Sequence, residues 1–292
     1  MGTLFLVATP IGNLEDITHR AIRILSQVRL IAAEDTRRTR QLLAHYHIST
    51  PLISYHEHNK LSRLEDVLGV LSQGDVALVS DAGTPGLNDP GYELVKTAVQ
   101  SGFPISPIPG PCAPIAALIA SGLPTDAFLY LGYLPRKSSE RCQLLRRIRH
   151  LSFTMIFLET PHRLLAALND LHCELGDRSM VIAREMTKLH EEIFRGRVSE
   201  ALSNFSARQI RGEITLVIAG NITSEIWPEQ QLLTTLQRSL ANGKSPAKTA
   251  SEISTQSGWA RRTVYRLITQ IQNSEIPQKS SIQSKRKIES KK

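Results

Sequence analysis

"LVSDAGTPGLNDPG" (residues 78–91) runs from an apolar strand into an acid, three glycines and two prolines. An ordinary strand-to-helix connection uses one or two breakers and a cap. Gly83, Pro85, Gly86, Pro90 and Gly91, all within ten residues of Asp81, therefore mark backbone that must come close to a ligand. The same order of elements surrounds this stretch. "TLFLVA" (3–8) ends in "TPIGN" and is followed by "LEDITHRAIRILSQV", whose apolar residues recur at helical spacing. "RLIAAED" precedes "TRRTRQLLAHY", "DVALVSD" precedes the Gly/Pro loop and "GYELVKTAVQSG", and "ISPIPG" precedes "PCAPIAALIASG". Short apolar strands alternating with amphipathic helices predict an α/β fold with a mostly parallel sheet over residues 1–122. Ligands in such open sheets sit outside the carboxyl ends of the strands, where Pro10, Asp81 and Gly110 fall.

After "SGLPTDAF" the pattern changes. Strands "FLYLGYL", "TMIFLE", "SMVIARE", "EIFRGRV" and "GEITLVIAG", with helices "SSERCQLLRRIRHL" and "PHRLLAALNDLHCEL", predict a second, α+β domain over 123–222 that completes the cleft. In a third segment, 223–275, "SPAKTASEISTQ" and "ARRTVYRLITQI" flank Ser257 and Gly258 and read as two short helices joined by a tight turn. Residues 276–292 are poor in apolar side chains and are expected to be a disordered basic tail.

A chain of 292 residues with 41% hydrophobic content is long enough to bury substantial cores. No run approaches the roughly 18–20 apolar residues of a membrane span, and the N-terminus lacks the basic start of a signal peptide. A cytoplasmic protein with no membrane partner is expected. Cys112, Cys142 and Cys173 are dispersed without CxxC spacing, which predicts reduced thiols and no structural metal. Charge is uneven along the chain. Residues 1–222 hold 23 basic and 22 acidic residues, a net +1, whereas residues 223–292 hold 12 and 5, a net +7. A neutral body with a basic appendage points to a polyanionic partner, against the plainer reading of a solubilising tail.

Three Gly/Pro loops, "ATPIGNLEDIT", "SDAGTPGLNDPG" and "PIPGPCAPIAAL", follow three strands and would line one cleft with backbone. Neither the GxGxxG dinucleotide fingerprint nor the GxxxxGK[ST] phosphate loop occurs. "AEDTRRTRQLL" sets Glu34 and Asp35 at a strand end, with Arg37, Arg38 and Arg40 in the first turns of a helix; the arginines either clamp phosphates or form a solvated face. "SYHEHNK" concentrates His56, Glu57, His58 and Asn59, suited to substrate contact and proton handling in preference to metal. "PHRL" and "REMTKLHEE" add Arg163, Arg184, Lys188 and His190.

Taken together, "LFLVATPIGNLEDIT", "AAEDTRRTRQLL", "ISYHEHN", "LVSDAGTPGLNDPG", "PIPGPCA", "GYLPRK", "ETPHRL", "AREMTKLHEE" and "RGEITLVIAG" resemble the tetrapyrrole-methylase superfamily of S-adenosylmethionine-dependent enzymes over about residues 3–220. The resemblance is closest to its RNA-modifying branch, which methylates a cytidine ribose 2′-oxygen in small-subunit ribosomal RNA. It implies that S-adenosylmethionine lies between the two domains, held by Pro10, Ser80, Asp81, Gly83, Thr84, Cys112, Ala113, Leu158 and Ala183, mostly through backbone groups. It also implies a homodimer acting on ribosomal RNA or the assembled small subunit. Arg37, Arg38, Arg163 and Lys188 are the expected substrate contacts. A ribose hydroxyl is a poor nucleophile, so a base is required; among Glu34, Asp35, His56, His58 and a deprotonated Lys188, the reading favours Asp35, His56 and His58. Many tetrapyrrole members carry Gly-x-Gly-Pro-Gly in the first loop, where this chain has Ala8-Thr9-Pro10-Ile11-Gly12. The rival readings are a tetrapyrrole C-methyltransferase, which leaves the basic tail unexplained, and a non-enzymatic nucleic-acid-binding protein, which predicts nucleic-acid affinity without donor binding.

Overall fold

The computed structural model describes residues 1–221 and 227–275; the expected tail over 276–292 lies outside them. The chain divides into two compact units, Met1–Gly220 and Asn221–Lys292.

The first unit begins with β1 (Leu4–Val7), α1 (His19–Gln27), β2 (Leu30–Ala33), α2 (Thr36–His45), β3 (Leu52–Ser54), α3 (Lys60–Leu71), β4 (Val76–Val79), α4 (Tyr92–Gln100), β5 (Ile105–Ile108) and α5 (Ala113–Ser121). The five strands form one parallel sheet in the order β3-β2-β4-β1-β5. Helices cover both faces, so the "VALV" of β4 is buried throughout, the continuous apolar run expected of an inner parallel strand. The sequence pattern shows four of these strands. The additional one, β3, is a three-residue edge strand, half-buried and too short to leave a periodic signal.

The chain continues through β6 (Phe128–Tyr133), α6 (Ser138–Ile148), β7 (Thr154–Glu159), α7 (Leu164–Leu175), β8 (Ser179–Arg184), β9 (Glu192–Arg197), α8 (Val198–Ser206) and β10 (Ile214–Ile218). These strands form a mixed sheet in the order β6-β7-β10-β8-β9. One face packs on α6, α7 and α8 around Phe157, Leu168, Leu171 and Phe205. The other face receives α5: Ala117 and Leu118 are buried against Ile156, Val181, Ala183 and Val217. Because α5 leaves the first sheet at the end of β5 and buries its apolar side on the second, it fixes the two sheets beside one cleft.

Arg141 of α6 is almost fully buried; its Nε donates to Asp170 Oδ2 at 2.7 Å and its Nη1 to the Pro135 carbonyl at 3.0 Å. Removing one partner of such a pair leaves the other charge poorly solvated. Arg141→Ala is therefore expected to cost about 3 kcal/mol, read as a lower urea midpoint. A loss below about 1 kcal/mol would mean that Asp170 hydrates freely once the guanidinium is gone.

The second unit contains α9 (Glu229–Ala241), α10 (Pro246–Ser257) and α11 (Arg261–Glu275). Leu232, Leu236, Ala250, Ile253, Val264 and Ile268 form its own small core. Gly258, at φ +69°, turns α10 into α11 by the left-handed conformation that favours glycine.

Candidate functional site

The opening stretch is a clamp. Thr9 and Gly83 exchange both backbone hydrogen bonds at 2.9 Å, tying the loop after β1 to the loop after β4. The Thr9 hydroxyl donates to the Ser80 carbonyl at 3.2 Å, and the Thr84 hydroxyl donates to the Pro111 carbonyl at 3.1 Å, which adds the loop after β5. Gly83 must be glycine for this: its φ is +82°, and a Cβ would stand 3.3 Å from Ile11 Cγ2. Gly91 is still more constrained, with φ +143° and Leu78 Cδ2 only 2.7 Å from where a Cβ would stand. Gly83 thus serves the joining of the three loops, and Gly91 the close packing of its loop's end on β4.

Two strand ends are joined by reciprocal acids. The Asp81 backbone N–H donates to Glu34 Oε2 at 3.2 Å, and the Asp35 N–H donates to Asp81 Oδ1 at 2.9 Å. Arg38 Nη1 stands 3.3 Å from Asp81 Oδ2. Asp35 itself caps α2, accepting from the Arg37 N–H at 2.8 Å and from its guanidinium at 3.1 and 2.7 Å. Those bonds from Arg37 hold the Asp35 carboxyl well below the usual carboxylate range.

Beneath the loops lies a cavity of ≈ 390 Å³. Asp81, Gly83, Thr84, Cys112, Ala113 and Arg38 line one side, and Leu158 comes from β7 on the other. It also contains groups that the sequence reading did not single out: Asn88, Asp89, Tyr130, Tyr133, Glu213 and Thr215. Tyr130 donates its hydroxyl to Asn88 Oδ1 at 2.6 Å, joining the loop after β4 to β6 across the cavity. Burial pushes the Asp89 carboxyl up to about 6, with the negative charges of Glu34, Asp81 and Glu213 acting in the same direction. Burial also raises Glu34, despite the opposing Asp81 N–H and Arg38.

Other expected site residues fall elsewhere. Pro10 and Ser80 line a neighbouring cavity of ≈ 180 Å³ that shares Arg38 and Asp81 with the larger one. Ala183 is buried in β8, paired with Thr215, so it backs the cavity without lining it. His56 and His58 follow β3 outside both cavities with ring centroids 6.1 Å apart; His56 Nδ1 is buried without a partner and His58 is exposed. Arg163 donates to the Leu134 and Pro135 carbonyls and to buried Glu159, which makes it a brace between β6 and β7. Lys188 donates to Glu185 at 2.9 Å and to Glu213 at 3.1 Å. Burial works to lower its pKa, but the two carboxylates outweigh that and raise it, so Lys188 stays protonated and does not serve as a neutral base.

Residues 3–202 match the tetrapyrrole (corrin/porphyrin) methylases. The chain is 46% identical over 277 residues to the ribosomal RNA small subunit methyltransferase I of Synechocystis sp., covering 93% of this chain and 99% of that protein. It is 45% identical over 259 residues to the protein of that name from Escherichia coli O157:H7, covering 87% and 90%. The Thermotoga maritima relative is 48% identical over 221 residues, covering 75% of this chain and 99% of the relative. Among solved structures, uroporphyrin-III C-methyl transferase from Thermus thermophilus, complexed with S-adenyl homocysteine, is similar with TM-score 0.53 and 19% identity, covering 75% of this chain and 98% of that one. A diphthine synthase is similar with TM-score 0.58 and 14% identity, covering 75% and 90%. At such identities the structural likeness speaks for the fold alone. Sequence motifs, fold and relatives agree that the chain belongs to the tetrapyrrole (corrin/porphyrin) methylase family, in its ribosomal RNA small subunit methyltransferase I group.

Proposed function

We propose that the protein transfers a methyl group from S-adenosylmethionine to the ribose 2′-oxygen of a cytidine in small-subunit ribosomal RNA. The observation that carries this reading is the ≈ 390 Å³ cavity, whose lining holds Glu34, Asp81, Asp89, Glu159 and Glu213 against one lining arginine, Arg38, with Lys188 paired to Glu213 and Arg163 to Glu159. Its volume lies in the range of about 300–1,000 Å³ that encloses ligands of cofactor size. An excess of carboxylates suits a donor bearing sulfonium and ammonium charges, and it disfavours a nucleoside triphosphate. The RNA substrate is that of the relatives' name; the cytidine ribose comes from the motif resemblance.

When bound, S-adenosylmethionine supplies a methyl group on a sulfonium leaving group. The chain's own residues have three tasks. Backbone of the clamped loops and the apolar side chains Ile11, Leu87, Leu158 and Met186 enclose the site and exclude water. Asp81, fixed by the Asp35 N–H, orients a cationic or hydroxyl group of the donor. Asp89 takes the ribose proton. That assignment replaces Asp35, His56 and His58: Asp35 is a helix cap held strongly ionised by Arg37, the histidines lie outside both cavities, and Asp89 lines the larger one with a pKa of about 6, suited to a base near neutrality.

The test incubates the protein with methyl-labelled S-adenosylmethionine and, separately, undermethylated small subunits, their naked RNA and a tetrapyrrole precursor, followed by mass spectrometry of nucleosides and pigments. Label on a cytidine ribose is expected, and the preferred RNA arm identifies naked RNA or assembled subunit as the substrate. Label on the tetrapyrrole, or donor binding without an RNA product, defeats the reading. Among the described residues no helix is long and apolar enough to cross a membrane.

A further inference from the structure

The smaller cavity, ≈ 180 Å³, lies outside the carboxyl ends of β1 and β4 against the first turns of α2. It is below the size of about 300 Å³ at which pockets enclose whole cofactor-sized molecules, so it fits a fragment of a larger ligand. Pro10, Leu14 and Leu42 give it apolar walls, and Thr39 and Gln41 give it hydrogen-bonding groups. Asp81 and Arg38 belong to both cavities, which places them at the junction.

The structure separates the three arginines of α2. Arg37 lines neither cavity and is engaged on both oxygens of Asp35. Arg40 is exposed and lines neither cavity. Arg38 stands 3.3 Å from Asp81, with 64% of its side chain exposed. An exposed pair of that kind contributes little, so its guanidinium can turn to another anion at small cost. A guanidinium also matches two phosphate oxygens at once, which a lysine ammonium does not.

We propose that the smaller cavity is the acceptor-nucleotide subsite, and that Arg38 holds a backbone phosphate of the RNA so that the target ribose lies at the junction of the two cavities. This rests on the methyl-transfer reading above. It gives the larger cavity to the donor and the smaller to the acceptor, with the reacting atoms meeting beside Asp81. Arg38 is then a positioning residue, acting through the geometry it imposes on the RNA strand.

The experiment compares wild type with Arg38→Gln, Arg38→Lys and Arg40→Gln in steady-state methylation of undermethylated small subunits or their RNA, with donor affinity measured by calorimetry. Arg38→Gln is expected to raise the RNA KM about tenfold or more and to flatten the log KM against log salt slope by about 1, with donor Kd unchanged. Arg38→Lys should recover part of the KM loss, and Arg40→Gln should change KM less than about twofold. Three results overturn the proposal: an unchanged KM in Arg38→Gln, an equal effect of Arg40→Gln, or a weakened donor Kd, which would make Arg38 a support for Asp81 on the donor side. If wild type itself makes no methylated RNA, the methyl-transfer reading fails and this subsite with it. Wild-type turnover with an indifferent Arg38 removes the subsite alone.

Discussion

Asp89→Asn is expected to cut turnover by about 10²- to 10⁴-fold while making the ligand-free protein more stable at neutral pH. Both effects come from one displaced equilibrium. The carboxyl, ordinarily near 3.8, is pushed up to about 6 by burial and by Glu34, Asp81 and Glu213. A base acts in its ionised form, so the wild-type single-turnover rate should rise through an inflection near pH 6 and level off above it. Asp89→Asn should be low and flat over the same range. For stability, the folded state keeps this proton up to about pH 6, whereas the unfolded chain releases it near 3.8. Stability therefore falls as pH rises through that window, and the penalty is fully present at pH 7. A displacement of this size corresponds to at most about 3 kcal/mol. Asp89 is only half-buried, and solvent screening brings the expected penalty to about 1–2 kcal/mol. The asparagine variant should thus melt higher than wild type at pH 7.5, with the difference shrinking toward pH 4. Retained turnover with an unchanged pH profile would remove Asp89 from the chemistry; reduced turnover with a lowered melting point would show a structural role instead.

Asp89 also lies where local sequence ceases to be sufficient. Strand and loop order around Asp81 is readable because buried parallel strands are apolar runs and because left-handed glycines and prolines punctuate the loops between them. The ring of acids is a different matter. Asp89 stands inside "LVSDAGTPGLNDPG", yet its altered acidity arises only when folding buries it beside Glu34 from β2's end and Glu213 from the start of β10. Residues 34, 89 and 213 are remote in the chain, and no local spacing joins them. Tyr130 and Tyr133 read as ordinary strand aromatics until the second sheet turns them toward the loop after β4. Asp35 is the opposite case: an aspartate immediately before a helix is a capping pattern visible in the sequence, and the cluster of charges around it drew attention to chemistry first. Arg163 likewise looks like a substrate contact in "PHRL", but its Nη2 is engaged by carbonyls and Glu159, while its Nε is buried without a partner.

Removal of residues 229–292 is expected to raise the RNA KM tenfold or more at about 150 mM salt, with kcat at saturating RNA changed by less than about threefold. The second unit draws its core from its own helices, through Leu232, Leu236, Ile253, Val264 and Ile268. Its loss leaves intact the cores of the first unit, whose residues lie before position 221. The Thermotoga maritima relative is matched over 99% of its own length by 75% of this chain, so a relative of the same name has no counterpart to about a quarter of it. In the second unit, Arg261, Arg262, Tyr265 and Arg266 are exposed on α11, and Lys248 is exposed on α10. Cations around an exposed tyrosine suit a phosphate backbone with a base to stack on the ring. Four phosphate contacts, each releasing about 0.7–0.9 counterions, would steepen the salt dependence by about 3, so the truncated protein should show a slope flatter by that amount and should approach wild type at low salt. An unchanged KM and slope would leave the segment as a solubilising appendage. A selective loss of kcat would instead assign it to the chemical step. Competition decides between the two nucleic acids: a helix pair of this kind can also meet the DNA major groove, and duplex DNA displacing RNA as well as RNA itself would defeat the RNA assignment.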